Sequence, residues 1–104
     1  MTEFDIPALR NAVAQDRYFI TTHAKQRMGQ RKVSDQDVKH VIAAGHLIEQ
    51  FPRARRCPKG LFMAHVRGEP LYVSCAFDGT FAHIITVHWY DPSIWIDPWT
   101  RRKE

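Results

Sequence analysis

The stretch Leu71-Tyr72-Val73-Ser74-Cys75-Ala76-Phe77-Asp78-Gly79-Thr80-Phe81-Ala82-His83-Ile84-Ile85-Thr86-Val87-His88-Trp89 decides the fold class. Two runs rich in β-branched and aromatic residues flank Asp78-Gly79, a pair whose backbone readily takes positive φ. The spacing predicts a hairpin with strands over 71–77 and 81–89. Upstream, Leu61 to Arg67 alternates and stops at Gly68-Glu69-Pro70, and His46 to Phe51 leads into a turn at Pro52. Strands that follow one another through short turns run antiparallel, so a sheet of three to four antiparallel strands is expected.

Before Gly45 the apolar period is helical. Ile6, Leu9, Ala12 and Val13 share one face behind Asp5 and Pro7, which suit a cap and a first turn, and the N-terminal helix segment is placed within 1–18. A second helix follows Thr21 or Thr22 and runs from His23 to about Gln30. The third is bounded by Ser34, with Asp37 three residues on, and by Gly45. Together these readings give an α+β protein: two or three N-terminal helices packed on one face of a three- to four-stranded antiparallel sheet. The 90–104 tail, with Pro92, Trp95, Pro98 and Trp99, is too aromatic to stay free and is expected to pack on the body. Residues 1–104 make one domain, since 104 residues bury only about two-thirds of their unfolded surface.

A composition 44% apolar and 25% charged is globular and excludes wholesale disorder. No run approaches a membrane span, and the N-terminus lacks the basic-then-apolar order of a signal peptide, so no membrane partner is expected. Cys57 and Cys75 suit reduced thiols and a cytoplasmic location better than a disulfide framework. The net charge is +4, but its layout says more. Residues 17–34 carry Arg17, Lys25, Arg27, Arg31 and Lys32 without an acid; residues 50–68 carry Arg53, Arg55, Arg56, Lys59 and Arg67, again without one. Such stretches favour an anionic partner such as nucleic acid, or are simply solvated arginines.

The second helix holds the sharpest pattern. At 100° per residue, Arg27 lies about 40° and Arg31 about 80° round from His23, with Gln30 on the same face. Ala24 and Met28 lie beside that stripe and can anchor the helix to the sheet. An imidazole and two guanidiniums are what phosphodiester cleavage without metal needs: a proton acceptor for the attacking 2′-hydroxyl, the role expected of His23 (or the acid, if charged), and cations for the phosphate's growing charge. The plainer alternative pairs Arg27 and Arg31 with Asp35 or Asp37. In the last strand, strict alternation puts Thr86, His88 and Tyr90 on one face, together with Ile84, and His83, Ile85, Val87 and Trp89 on the other. Thr86 and Tyr90 join His23, Arg27 and Arg31 as candidate catalytic residues, with Tyr90 or His88 as an acid for a leaving oxygen; structural roles are the alternative. Arg53, Arg55, Arg56 and Lys59, in a turn between strands, are candidates for the nucleic-acid backbone. No H-E-x-x-H, C-x-x-C, glycine-rich phosphate loop or G-x-S-x-G occurs, so no metal or cofactor is expected.

The block Thr21-x-His23-Ala24-x-x-Arg27-Met28-x-x-Arg31 resembles the opening of a bacterial family of small uncharacterised domains. Ser34-x-x-Asp37-Val38, Gly45-x-x-Ile48, the Pro52 to Gly60 turn, Ile84-Ile85-Thr86-Val87 and Asp91-Pro92-x-x-Trp95 match its later parts in order. That family is grouped with RelE-like and BrnT-like toxins of toxin–antitoxin pairs. The resemblance therefore implies a RelE-like fold, RNA as substrate and a cognate antitoxin protein as partner. It carries the candidate roles onto His23, Arg27 and Arg31, with Thr86 in support. His88 is a departure, standing where the family often has an aromatic. A non-catalytic module binding RNA or protein through the same basic face is the rival reading, and a homodimer is compatible with both.

Overall fold

The computed structural model describes residues 4–51, 53 and 56–103. In chain order these form α1 (Ile6–Ala14), β1 (Tyr18–Ile20), α2 (Thr22–Arg31), α3 (Asp35–Ala44), β2 (His46–Phe51), β3 (Lys59–Val66), β4 (Glu69–Phe77), β5 (Ala82–Trp89), β6 (Trp95–Asp97) and β7 (Thr100–Arg101). The β4–β5 turn forms as its residues dictate. Gly79 takes φ +99°, and the Asp78 carboxylate accepts from the backbone N–H groups of Thr80 and Phe81 at 2.8 and 2.7 Å. Strands β2 to β5 are antiparallel neighbours in sequence.

The rest of the sheet corrects the expected architecture. It is a five-stranded mixed sheet in the order β1-β5-β4-β3-β2, with a separate two-stranded sheet from β6 and β7, so the three- to four-stranded antiparallel, RelE-like arrangement does not describe it. The added strand is β1, which pairs parallel to β5 with Ile20 opposite Ile84. Three residues are too few to show a period of two, and the pairing spans most of the chain. The N-terminal helix is correspondingly shorter than residues 1–18, because the segment from Tyr18 has joined the sheet.

Helices cover one face. Leu9, Ala12 and Val13 of α1 and Val38, Val41 and Ile42 of α3 pack with Phe62, Val73, Ile84 and Val87. Arg10 ties the two helices together by donating to the carbonyls of Ile42 and Gly45 at 2.8 and 2.7 Å, groups a helix C-terminus otherwise leaves unpaired. At the other end of α3, Ser34 and Asp37 form a reciprocal capping box. Gly45 closes the helix with φ −83°, so no left-handed turn demands it. Space does: an added Cβ would meet the Val41 carbonyl oxygen and lie 2.7 Å from the Met63 oxygen. Over β3 and β4 the opposite face is covered by the tail, where Trp95 packs with Leu61, Met63 and Tyr72. With layers on both sides, residues 60–64 are buried without a break.

Candidate functional site

Helix α2 starts at Thr21, whose hydroxyl accepts from the Ala24 N–H at 3.1 Å, and stops at Lys32, which takes φ +58°. Ala24 and Met28 are buried, which fixes the helix's rotation and turns His23, Arg27 and Arg31 outward. The helix lies along β5 because β1 ends at Ile20 and leaves the rest of that strand's edge uncovered. Edge carbonyls would be orphaned there. The Thr21 N–H donates to the Ile84 oxygen at 3.1 Å, its hydroxyl to the Ile85 oxygen at 3.3 Å, and Arg31 Nη1 to the Val87 oxygen at 2.7 Å.

Strict alternation fails on β5. Ser74 pairs with Thr86 but Cys75 with Ile84, so Ile85 is an extra, bulged residue. The bulge lets Ala82 and Ile84 face the helices and then restarts the phase, putting Val87 on that side too. Thr86, His88 and Tyr90 are thereby turned the other way, without the Ile84 that alternation assigned to them. The α2 stripe, this β5 row and the start of the tail enclose a cavity of about 500 Å³. All five residues proposed from the sequence as catalytic, His23, Arg27, Arg31, Thr86 and Tyr90, line it. So do His88, the alternative to Tyr90 as an acid, and two charged residues that the sequence did not single out as site residues, Asp91 and Arg101.

Neither α2 arginine pairs with a carboxylate among the described residues. Asp35 instead accepts from the Tyr18 hydroxyl at 3.3 Å, and Asp37 serves its capping box and Arg67 at 3.1 Å. Arg27 Nη1 donates to Gln30 at 3.1 Å and its Nε lies 3.5 Å from His23 Nε2, a contact long enough to give way to an anion. Arg31 keeps Nη2 and Nε clear of its Val87 bond, and its own carbonyl accepts from Trp89 Nε1 at 2.9 Å. Arg101 is held by both oxygens of Glu49, at 2.9 Å each, with its guanidinium 4.6 Å from the Trp95 ring centre.

His88 is half-buried and stacked on Tyr72, with ring centres 4.9 Å apart and planes within 9°. Tyr72 stacks in turn on Trp95 at 4.6 Å and donates its hydroxyl to the Pro98 oxygen at 2.7 Å. Burial first, then the neighbouring Arg31 and Arg101, pushes His88 below the usual histidine range, while Asp91 and Glu49 pull weakly the other way. Burial pushes the Tyr72 phenol up to about 12. Tyr90 directs its hydroxyl at the Trp95 and Ile96 carbonyls, 3.4 Å from each, so in this conformation it braces the tail rather than offering a proton to the cavity. Asp91 is the one acid of the wall; its Oδ1 accepts from the Ser93 N–H and hydroxyl, which holds its carboxyl low.

The second basic stretch lies elsewhere. Lys59 pairs opposite Ala76, near the β4–β5 turn, whereas the cavity lies at the end of β5 that pairs with residues 70–74. Arg53, Arg56 and Lys59 are exposed there, two strands across from β5 and at the opposite strand ends; Arg55 lies outside the described residues. Cys75 is sealed in the core, where burial pushes its thiol up to about 12, so it is no nucleophile. No group of three or more metal-ligating side chains occurs among the described residues, and no helix among them is long and apolar enough to cross a membrane.

A protein-family model, the domain of unknown function DUF4258, matches residues 20–89. The chain belongs to the DUF4258 family. The matched span begins at the last residue of β1 and ends with β5, so it contains the α2 stripe, the bulge and His88. Tyr90, Asp91 and Arg101 of the cavity wall lie beyond the matched residues. Searches of the curated proteins and of the solved structures found no match. The kinship that DUF4258 membership supports is to a small domain family, without the toxin grouping.

Proposed function

We propose that the cavity between α2, β5 and the tail binds an RNA phosphodiester and cleaves it without a metal ion. The observation that carries this reading is the convergence of His23, Arg27 and Arg31 on one cavity with both α2 guanidiniums unmatched by carboxylates among the described residues. Arg27 and Arg31 hold the two non-bridging oxygens and offset the charge that grows on them as the phosphorus becomes five-coordinate, the part a metal ion would otherwise take. The ribose 2′-oxygen attacks phosphorus while the bond to the 5′-oxygen breaks, leaving a 2′,3′-cyclic phosphate and a 5′-hydroxyl. Two protons move: one leaves the 2′-hydroxyl and one reaches the 5′-oxygen. A neutral imidazole accepts the first and an imidazolium donates the second, and His23 is the α2 group able to do either. Thr86 sits beside the phosphate site as a hydroxyl donor.

A cavity of about 500 Å³ matches one nucleotide, which an unpaired strand can present to it. In this reading the protein is a cytoplasmic ribonuclease toxin restrained by a protein antitoxin, as the sequence resemblance implies. Cleavage of single-stranded RNA in the presence of EDTA tests it, with His23→Ala and Arg27→Ala beside the wild type. Loss of about 100-fold or more in kcat/KM is expected for each. Wild-type RNA binding that falls steeply with salt but yields no product would favour the non-catalytic RNA-binding module instead.

A further inference from the structure

The two proton transfers need two groups, and α2 supplies one. We propose that His88 is the second catalytic residue of the cavity, the base that accepts the 2′-hydroxyl proton and leaves His23 to protonate the 5′-oxygen. This assignment rests on the cleavage reading above. Three observations carry it.

First, the bulge at Ile85 puts His88 on the face of β5 that lines the cavity, across from the α2 stripe. Second, its ring is oriented without using its nitrogens. The stack on Tyr72, itself backed by Trp95 and then Arg101, fixes the imidazole plane from behind. Among the described residues nothing hydrogen-bonds either nitrogen, in contrast to Tyr90, whose hydroxyl is spent on tail carbonyls. A side chain held rigidly with its polar atoms unused, in a cavity, is prepared for a ligand. Third, the groups facing it from α2 and the tail favour the neutral ring. Burial is the largest influence, then Arg31 and Arg101; Asp91, and Glu49 paired with Arg101, oppose them more weakly. His23, Arg27 and Tyr90 complete the titratable or charged groups that share the cavity with it.

The protons balance. His88 starts neutral and His23 charged; after the P–O5′ bond breaks, His88 is charged and His23 neutral, and exchange with water restores both. Because burial and two arginines depress His88, the acidic limb of the kcat/KM profile should fall below the ordinary histidine range, about 6.5.

His88→Phe separates chemistry from packing, because phenylalanine keeps a flat ring on Tyr72 and removes only the nitrogens. The variant is expected to fold with an unchanged circular dichroism spectrum, to lose about 100-fold or more in kcat/KM on a single-stranded RNA oligonucleotide in EDTA, and to lose the acidic limb. In parallel, the ring-nitrogen resonances of wild-type His88 are followed by NMR with adenosine 3′-monophosphate and with its 2′-deoxy counterpart. They should shift with the ribonucleotide and not with the deoxynucleotide. Wild-type cleavage matched within threefold by His88→Phe, acidic limb intact, overturns the His88 assignment and leaves the cleavage reading standing. A ribonucleotide-specific shift without any cleavage keeps His88 as the 2′-hydroxyl contact and sinks the cleavage reading. Neither cleavage nor shift overturns both.

Discussion

Trp95 holds the tail that walls the cavity, and replacing it tests whether that wall is part of the folded body. Its side chain is fully buried, stacked on Tyr72 on one side and covered by the Arg101 guanidinium, and both ring contacts are at 4.6 Å. Removing a buried tryptophan costs roughly 3–5 kcal/mol through lost transfer energy and the cavity left behind. One term opposes this. Trp95 Nε1 is buried with no hydrogen-bond partner among the described residues, a burden of about 1–3 kcal/mol that truncation removes. Trp95→Ala should therefore cost about 2 kcal/mol, still a large fraction of a small domain's stability. Trp95→Phe keeps the stack and also removes the orphaned N–H, so it should stay within about 1 kcal/mol of wild type. Urea unfolding followed by circular dichroism measures both, with constant m confirming the same transition. A Trp95→Ala protein as stable as wild type to within about 1 kcal/mol would refute the reasoning, because the second core would then contribute nothing.

Other consequences are as direct. Gly45→Ala forces a Cβ against the Val41 and Met63 carbonyl oxygens, so it should destabilise by about 1–3 kcal/mol in the same urea assay; a gain, as glycine at an ordinary φ would give, would contradict the crowding argument. Hydrogen bonds from His83 and from the Phe81 and Thr80 N–H groups hold the Asp78 carboxyl at about 2. A depressed carboxylate stabilises the fold above its unfolded pKa of about 3.9 and loses that contribution as pH falls through about 2. The melting-temperature gap between wild type and Asp78→Asn should therefore be steady above about pH 5 and close towards pH 2; an equal gap at both ends would be inconsistent with it. Arg31→Lys gives up the fork that serves both Val87 and an anion, and should weaken binding of a 2′-deoxy oligonucleotide at low salt while costing about 1 kcal/mol in stability.

Much of this architecture was legible in local chemistry. Asp78-Gly79 marked the central hairpin, Ser34 and Asp37 the start of α3, and Ala24 with Met28 the buried side of α2. What escaped was long-range. Tyr18-Phe19-Ile20 reads as a lead-in to α2, and only its distant partner β5 makes it a strand. Ile85 looks like one more residue of an alternating run, so the bulge was invisible, although the awkward grouping of Ile84 with Thr86 was its trace. In the tail, Trp95-Ile96-Asp97 and Thr100-Arg101 are too short to announce a hairpin. His88 stood out as a candidate acid and as a departure from a pattern; its fixed, half-buried ring could not be read, because the Tyr72–Trp95–Arg101 stack joins residues 72, 95 and 101 only in the folded chain. Basic stretches adjacent in charge proved distant in space: Arg27 and Arg31 line the cavity, while Lys59 sits at the other end of the sheet.

The central claim is that the cavity directs a ribose 2′-oxygen onto the neighbouring phosphorus. The most direct measurement is the chemical identity of the ends made from a single-stranded RNA oligonucleotide in excess EDTA, beside the same oligonucleotide carrying one 2′-deoxyribose. Attack by the 2′-oxygen gives 2′,3′-cyclic phosphate and 5′-hydroxyl ends, and no cut at the deoxy position. Cutting at the deoxy linkage, 5′-phosphate ends, or intact RNA at every enzyme concentration would contradict it.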